Sequence, residues 1–155
     1  MFKRLVIILF LFFSVCNKVL AETPDFSKML LLQCTINFKT VFSTPLSGII
    51  GAKEDTVVNT FYVDYKNKNI YSQRTLKPVT EIFQMDNIWI KFKYVYNEEN
   101  GWLAIQEYVI NRQTGVVDVT YKATPQKGQS GYWLGYSYEG YGTGLAQPIT
   151  QNKKF

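Results

Sequence analysis

Apolar and polar residues alternate along most of the chain, as they do in β-strands that bury one face. The first clear run begins at residue 32, where every second position is apolar: Leu32, Cys34, Ile36 and Phe38. Because successive side chains of a strand point to opposite faces, this period of two predicts a half-buried strand. The same reasoning predicts seven further strands, over 57–65, 69–76, 79–85, 88–96, 102–110, 116–121 and 131–144.

Polar turns separate these strands, and one turn carries a specific signal. The sequence NRQTG at 111–115 predicts a type I turn with Gly115 in the left-handed conformation, which makes a bulged hairpin. The longest break in the pattern is STPLSGIIGAKED at 43–55, which contains Pro45, Gly48 and Gly51. It predicts a long loop, with room for one short helical turn.

Eight strands with a turn signal about every 8–12 residues predict an all-β fold. Consecutive antiparallel strands usually lie side by side, so we expect a single meander that forms a small barrel or a strongly curved sheet. A sandwich is the alternative that the pattern leaves open. We expect one domain over 22–155, with a frayed C-terminal tail from about residue 146.

The first 21 residues follow another pattern, which predicts a signal peptide. Two basic residues precede an apolar run from Leu5 to Cys16, and Val19 and Ala21 are small residues suited to cleavage after Ala21. The run is shorter than the roughly 20 residues of a membrane-spanning helix, so we expect no permanent transmembrane span. The protein would then be exported, either to the periplasm or fully secreted.

Cysteine usage raises two further questions. Lipid modification of Cys16 is an alternative to cleavage after Ala21, but Val15 before it fits a lipoprotein signal poorly. Removal of the leader would leave Cys34 as the one remaining cysteine. An odd cysteine in an exported protein is either a buried thiol or an intermolecular link, and the apolar strand face around Cys34 favours burial.

Charge and composition then exclude several function classes. The 155 residues include 17 Lys and Arg, 12 Asp and Glu and no histidine, which gives a formal charge of +5. The leader holds three of the basic residues and no acid, so the exported chain would carry 14 against 12, or +2. Without histidine, the Ser-His-Asp and Cys-His catalytic arrangements and imidazole zinc sites are excluded. We expect no catalytic residues, no metal and no cofactor.

Lys91 and Lys93 alternate with aromatic residues, a mixture that also occurs in nucleic-acid-binding sheets. The charge of +2 and the predicted export argue against that function, so we expect no nucleic acid as a partner. Lysine on an exposed sheet face, or guarding a sheet edge, is the favoured interpretation.

The stretch from Phe61 to Gly144 contains a strand with an Asp before a polar turn, FYVDYKNKNIY. A later hairpin, YVINRQTGVVDV, and a Gly-rich last strand follow. In these features the chain resembles small exported bacterial β-domain proteins of unknown function. The resemblance implies an exported β domain, and it brings no activity and no catalytic residues with it.

The segment 131–144 is the strongest candidate for a binding site. It holds five of the ten Gly and four of the 11 Tyr. Aromatic rings offer a broad contact area, and glycine lets a ligand approach the backbone. The candidate ligand-binding residues are Tyr132, Trp133, Tyr136, Tyr138 and Tyr141. The alternative is a terminal strand whose tyrosine rings pack the barrel mouth, with glycine at bends.

Glu107 is a sixth candidate, and its role depends on which face of its strand points inward. One set of apolar residues shares its parity: Leu103, Ile105 and Val109. A second set has the opposite parity: Trp102, Ala104, Tyr108 and Ile110. If the first set is inward, Glu107 is buried and could recognise a ligand amine or hydroxyl. The second arrangement, which exposes Glu107, is favoured.

These features predict an exported cell-envelope binding module without catalytic activity, whose partner is a small molecule or an envelope protein. The alternative is a structural or interaction protein that docks a partner through an aromatic patch or an edge strand. The least favoured hypothesis is a hydrolase that uses carboxylates such as Glu107 and Asp118. A concave aromatic pocket would support the first hypothesis, an exposed apolar patch the second, and two carboxylates in one cleft the third.

Overall fold

The computed structural model describes residues 23–98, 100–129 and 131–149. The predicted signal peptide, with Cys16 and the cleavage site at Ala21, lies outside the described residues. Within them the chain forms a short 3-10 helix and eight strands. Their bounds are Phe26–Lys28 for the 3-10 helix and, for the strands, β1 Leu30–Thr44, β2 Gly48–Asp64, β3 Asn69–Ser72, β4 Glu81–Met85, β5 Trp89–Asn97, β6 Trp102–Asn111, β7 Val116–Pro125 and β8 Ser137–Ile149. No helix in this part of the chain has the length and hydrophobicity needed to cross a membrane.

The eight strands form one antiparallel meander, which confirms the predicted fold class. Their order in the sheet is β3-β2-β1-β8-β7-β6-β5-β4. Strands β1 and β8 pair over their length, from Leu31 opposite Ile149 to Ser43 opposite Ser137. The sheet therefore curves into a nearly closed barrel, and its seam lies between β3 and β4 in the middle of the chain.

The segment between β3 and β4 closes one end of this seam. The Val79 amide donates a hydrogen bond to the Ile70 carbonyl at 2.9 Å, and the Thr80 amide donates to the Lys93 carbonyl at 2.9 Å. Residues 78–80 thus connect β3 to β5, and the Val79 side chain is buried. We call this end the closed half and the other end, where β2 faces β5, the open half.

Apolar side chains fill the closed half. Three rings interlock there: Phe61 lies 4.9 Å from Phe92 and 5.1 Å from Tyr108, and Phe92 stacks on Tyr108 at 4.7 Å between centroids. Cys34 has no exposed surface, which confirms the predicted buried thiol. Burial raises the pKa of this thiol to about 12, because the apolar surroundings disfavour the thiolate.

Glycines on the inner face of β8 let it approach β1 closely. A side chain at Gly142 would place its Cβ 2.5 Å from the Ile36 methyl, and one at Gly144 would overlap the backbone oxygen of Thr35. Across β8, the rings of Phe38 and Tyr121 meet with centroids 6.3 Å apart. Neighbouring side chains therefore fill the space that these glycines leave, so the glycines serve packing rather than ligand approach.

The NRQTG hairpin has the predicted form. Gly115 has a φ of 74°, and its amide donates a hydrogen bond to the Asn111 carbonyl at 2.8 Å. The left-handed conformation at Gly115 is the one that glycine adopts without steric strain.

Several predicted strand limits were wrong. β3 ends at Ser72 rather than 76, and β7 continues to Pro125 rather than ending at 121; the largest differences concern β2 and β8. Residues 48–55 form the first part of β2, paired with β1, and only a three-residue turn separates the two strands. Both faces of this hairpin arm are exposed, so no buried face imposes a period of two on its sequence. The last strand begins at Ser137 rather than 131, and pairing with β1 keeps it regular through Ile149, past the start of the predicted frayed tail.

Candidate functional site

In the open half, two strand edges face each other without a strand between them. β3 pairs only with residues 61–64 of β2, and β4 pairs only with residues 90–93 of β5. Among the described residues, no strand pairs with the outer edge of β2 over 48–59. A cleft of about 1090 Å³ lies between these two edges.

The wall of this cleft is a strand edge rather than a sheet face. Every residue of β2 from Val57 to Tyr62 lines it. A sheet face would contribute only every second residue, because side chains alternate between faces. The consecutive lining therefore places the β2 backbone itself at the cleft.

The cleft adjoins a second space of about 630 Å³, an open pocket at the barrel mouth that we call the cavity. Five aromatic residues line it: Phe38, Phe42, Tyr96, Tyr121 and Tyr138. The cleft and the cavity share lining residues, including Asn59, Tyr96, Glu98 and Gln106. The inward positions of β6 and β7 at this level are Ala104 and Ala123, which pair directly and form a small second core with Trp102 beneath the rings that line the cavity.

Glu98 is the carboxylate best placed to meet a ligand. It follows β5 directly, and its Oε1 accepts a hydrogen bond from the Tyr121 hydroxyl at 2.7 Å. Asn100 Nδ2 donates to its Oε2 at 3.3 Å. Burial, and then the hydrogen bond to Glu98, raise the pKa of Tyr121, so this phenol stays protonated and holds the carboxylate in place. A second carboxylate at the cavity, Asp55, forms an ion pair with Lys53 at 2.5 Å.

Three polar side chains form the floor of the cavity, at the boundary with the closed half. Asn59 Nδ2 donates to the Tyr108 hydroxyl at 2.7 Å, and that hydroxyl donates to Gln106 Oε1 at 2.7 Å. Within the part of the chain that the structure describes, every buried side-chain nitrogen and oxygen has a hydrogen-bond partner. These bonds hold the floor in place before a ligand arrives. The amide groups of Asn59 and Gln106 each retain a hydrogen-bonding position towards the cavity.

Tyr96 forms the wall between the cleft and the cavity. Its ring stacks on Tyr94 with centroids 5.0 Å apart. Burial raises the pKa of Tyr96 to about 12, and the nearby Glu98 carboxylate adds to this shift. Near neutral pH the phenol groups of Tyr96 and Tyr121 are thus uncharged.

The aromatic candidates predicted in 131–144 do not form one site. Tyr138 lines the cavity, and Tyr136 packs on Phe42 at 5.2 Å. Tyr132 and Trp133 form a ring pair on an exposed turn, and Tyr141 is 65% exposed on the outer face of β8. These residues are divided because 131–135 forms a turn and only the later ones belong to β8. The alternation of a single strand therefore does not place their side chains on one face.

Glu107 lies on the outer face of β6 and is exposed. The favoured arrangement is confirmed, because Trp102, Ala104, Tyr108 and Ile110 are buried. The hypothesis of an inward Glu107 that binds a ligand is wrong, since Gln106 occupies the inward position instead. Asp118 is also exposed on the outer face, so these two carboxylates do not share a cleft.

Most of the cavity residues were not among the predicted candidates. Two of them had a visible signal, because Asn59 and Gln106 are polar residues at inward positions of otherwise apolar strand faces. Glu98 lies just beyond a strand and gave no signal of its own. Its position depends on how the strands of the barrel are arranged around the seam.

Among the described residues, no group of three or more Cys, Asp or Glu side chains is placed to hold a metal ion. No protein-family model matches the chain, and no curated protein or solved structure does so either. The resemblance to small exported bacterial β-domain proteins therefore stays a prediction.

Proposed function

We propose that the protein is an exported, non-catalytic binding module of the cell envelope that holds one small ligand in the open half of its barrel. The observation that carries this proposal is the cavity of about 630 Å³ behind the open seam. Ligand pockets usually measure about 300–1,000 Å³ and combine aromatic walls with a few fixed polar groups. The cavity has both properties.

The lining favours a ligand with a ring-shaped apolar face and several hydrogen-bond donors. The rings of Phe42, Tyr96 and Tyr138 suit stacking against such a face. The Glu98 carboxylate accepts hydrogen bonds from hydroxyl or amine groups, and the Gln106 Nε2 donates hydrogen bonds, because its Oε1 already accepts from Tyr108. A sugar-like or amine-bearing molecule has this chemistry. The two acidic side chains of the lining, Asp55 and Glu98, are offset by Lys53 and Arg74, so net charge does not select the ligand.

Native mass spectrometry of the protein purified from its own host tests the proposal. We expect a small-molecule mass that copurifies with the wild-type protein. Tyr138→Ala removes a cavity wall and should lose this mass, whereas Tyr141→Ala removes a ring from the outer face of the same strand and should keep it. Glu98→Gln keeps the shape of the side chain and should weaken binding of an amine.

Absence of any copurified mass, together with a stable protein partner, would contradict this function. Equal effects of the Tyr138 and Tyr141 variants would also contradict it, because the two rings lie on opposite faces of β8.

A protein partner at the open edge of β2 is the second candidate function. It is favoured by the unpaired backbone of β2 along the cleft, since an added strand can pair with such an edge. Hydrogen exchange separates the two candidates. A docked strand would protect the amides of residues 56, 58 and 60, which point out of the open edge, whereas a ligand in the cavity would leave these edge amides exchanging as in the free protein.

A further inference from the structure

Exposed apolar side chains cluster at the far end of the open half, on the end of the β1–β2 hairpin and on the loop that precedes β8; we call these two segments the tip loops. We call this cluster the apolar tip and define it by Leu46, Ile49, Ile50, Tyr132, Trp133 and Leu134. Leu46 is 88% exposed and Trp133 is 82% exposed. The two loops are in contact, because a side chain at Gly135 would meet Pro45, and the hydroxyls of Ser43 and Ser137 lie 3.1 Å apart.

Charged residues are absent from the sequence around the apolar tip. None occurs at positions 40–52 or 128–138. Most of the first charges next to these segments form ion pairs: Lys39 with Glu54 at 3.8 Å, Lys53 with Asp55 at 2.5 Å and Lys122 with Glu139 at 2.7 Å. Lys127, just before the second segment, adds one positive charge. The tip can therefore leave water without desolvating a charge, and the paired charges behind it nearly cancel.

We propose that the apolar tip inserts into the interface of a lipid bilayer, so that the open half of the barrel faces the membrane surface. Trp133 and Tyr132 are residues of the kind that prefer the headgroup level, because each combines an apolar ring with a polar group. Leu46, Ile49 and Ile50 provide apolar surface that reaches the acyl boundary. This inference goes beyond the ligand-binding function and does not depend on it.

The size and charge of the tip select a bilayer over a second copy of the chain. The two loop segments, Thr44–Ile50 and Gly131–Gly135, comprise twelve residues. A stable protein interface uses roughly 20–30 residues on each side. A bilayer requires no matching surface, and the near-neutral surroundings of the tip predict binding to zwitterionic lipid without any need for anionic lipid.

Sedimentation with phosphatidylcholine vesicles tests this inference on the full chain. We expect the wild-type protein to sediment with the vesicles, and the double variant Leu46→Ser, Trp133→Ser to lose affinity by about tenfold or more. Leu145→Ser is the matched control, since Leu145 is 59% exposed but lies on the barrel wall away from the tip. All variants share the same N-terminal segment, so any difference in vesicle binding between them is due to the substituted side chains.

Tryptophan fluorescence gives an independent measurement. Lipids with brominated acyl chains should quench Trp133, and Trp133→Phe should remove most of this quenching while it retains vesicle binding. Trp89 lies at the opposite end of the barrel, and Trp102 is buried against Tyr138. Four results would overturn the inference: no sedimentation with vesicles, binding that requires anionic lipid or disappears in about 0.5 M salt, an equal loss in Leu145→Ser, or a dimer that Leu46→Ser dissociates.

Discussion

The closed and open halves of this barrel are built from the same strands, yet they differ in what fills the interior. In the closed half, inward positions hold large apolar residues such as Phe61, Phe92 and Ile110, and residues 78–80 complete the wall. In the open half, Ala104 and Ala123 form only a small core with Trp102 and the surrounding rings, and the wall has a gap. The difference teaches that the closed half packs its interior completely, whereas the open half combines a smaller core with an open pocket.

Truncation of one ring in each half should give the largest contrast. Phe92→Ala should lower the free energy of unfolding by about 3–5 kcal/mol, because Phe92 is fully buried between Phe61 and Tyr108. Phe42→Ala, the same change in the half-buried open end, should lower it by only about 1–2 kcal/mol. Urea denaturation measures both values, and equal losses would show that the halves do not differ in packing.

Addition of a methyl group tests the close approach of β8 to β1. Gly144→Ala should lower the free energy of unfolding by about 1–3 kcal/mol, because the new Cβ would overlap the Thr35 carbonyl and the backbone must move. Gly51→Ala is the matched control in the open arm of β2, where no atom lies within 4 Å. The control should be neutral or slightly stabilising. A neutral Gly144→Ala would contradict the close approach.

Alkaline pH should weaken the closed half through Cys34. The pKa of its thiol rises from an ordinary value of 9.0 to about 12 in the folded protein. The unfolded chain loses this proton first, so the stabilisation is complete below pH 9 and decreases as the pH rises towards 12. The contribution is at most about 1.4 kcal/mol per pH unit. Cys34→Ala should show a flatter decline of stability over this range, and an unchanged slope would contradict the buried thiol.

Removal of single hydroxyl groups should give the smallest effect. Tyr108→Phe takes away the link between Asn59 and Gln106 in the floor of the cavity, and should lower the free energy of unfolding by about 1 kcal/mol. Tyr121→Phe removes the hydrogen bond to Glu98 beside the open cavity, where water can replace it. The midpoint temperature of thermal unfolding should therefore fall less in Tyr121→Phe than in Tyr108→Phe. A larger loss of stability in Tyr121→Phe than in Tyr108→Phe would indicate that water has less access to the open half than to the closed half.

The sequence was sufficient to predict the fold class because most strands bury one face. Alternation at Leu32, Cys34 and Ile36 follows directly from the packed interior of the closed half. The arm of β2 from Gly48 to Asp55 escaped prediction, since it is exposed on both faces and carries no such pattern. Site residues were not predicted for another reason. Glu98 and Tyr121 lie 23 positions apart in the chain, and the folding of the sheet brings them together.

The pairing of β1 with β8 has a consequence for how the chain acquires its structure. Cys34 lies opposite Ala146, 112 positions later, so the two ends of the domain must find each other before the barrel exists. Contacts of such high sequence separation make folding slow, because the chain loses the conformational entropy of closing a long loop before these contacts can stabilise it. While the polypeptide is being synthesised, β1 can pair only with β2, and the barrel assembles once the last strand has emerged.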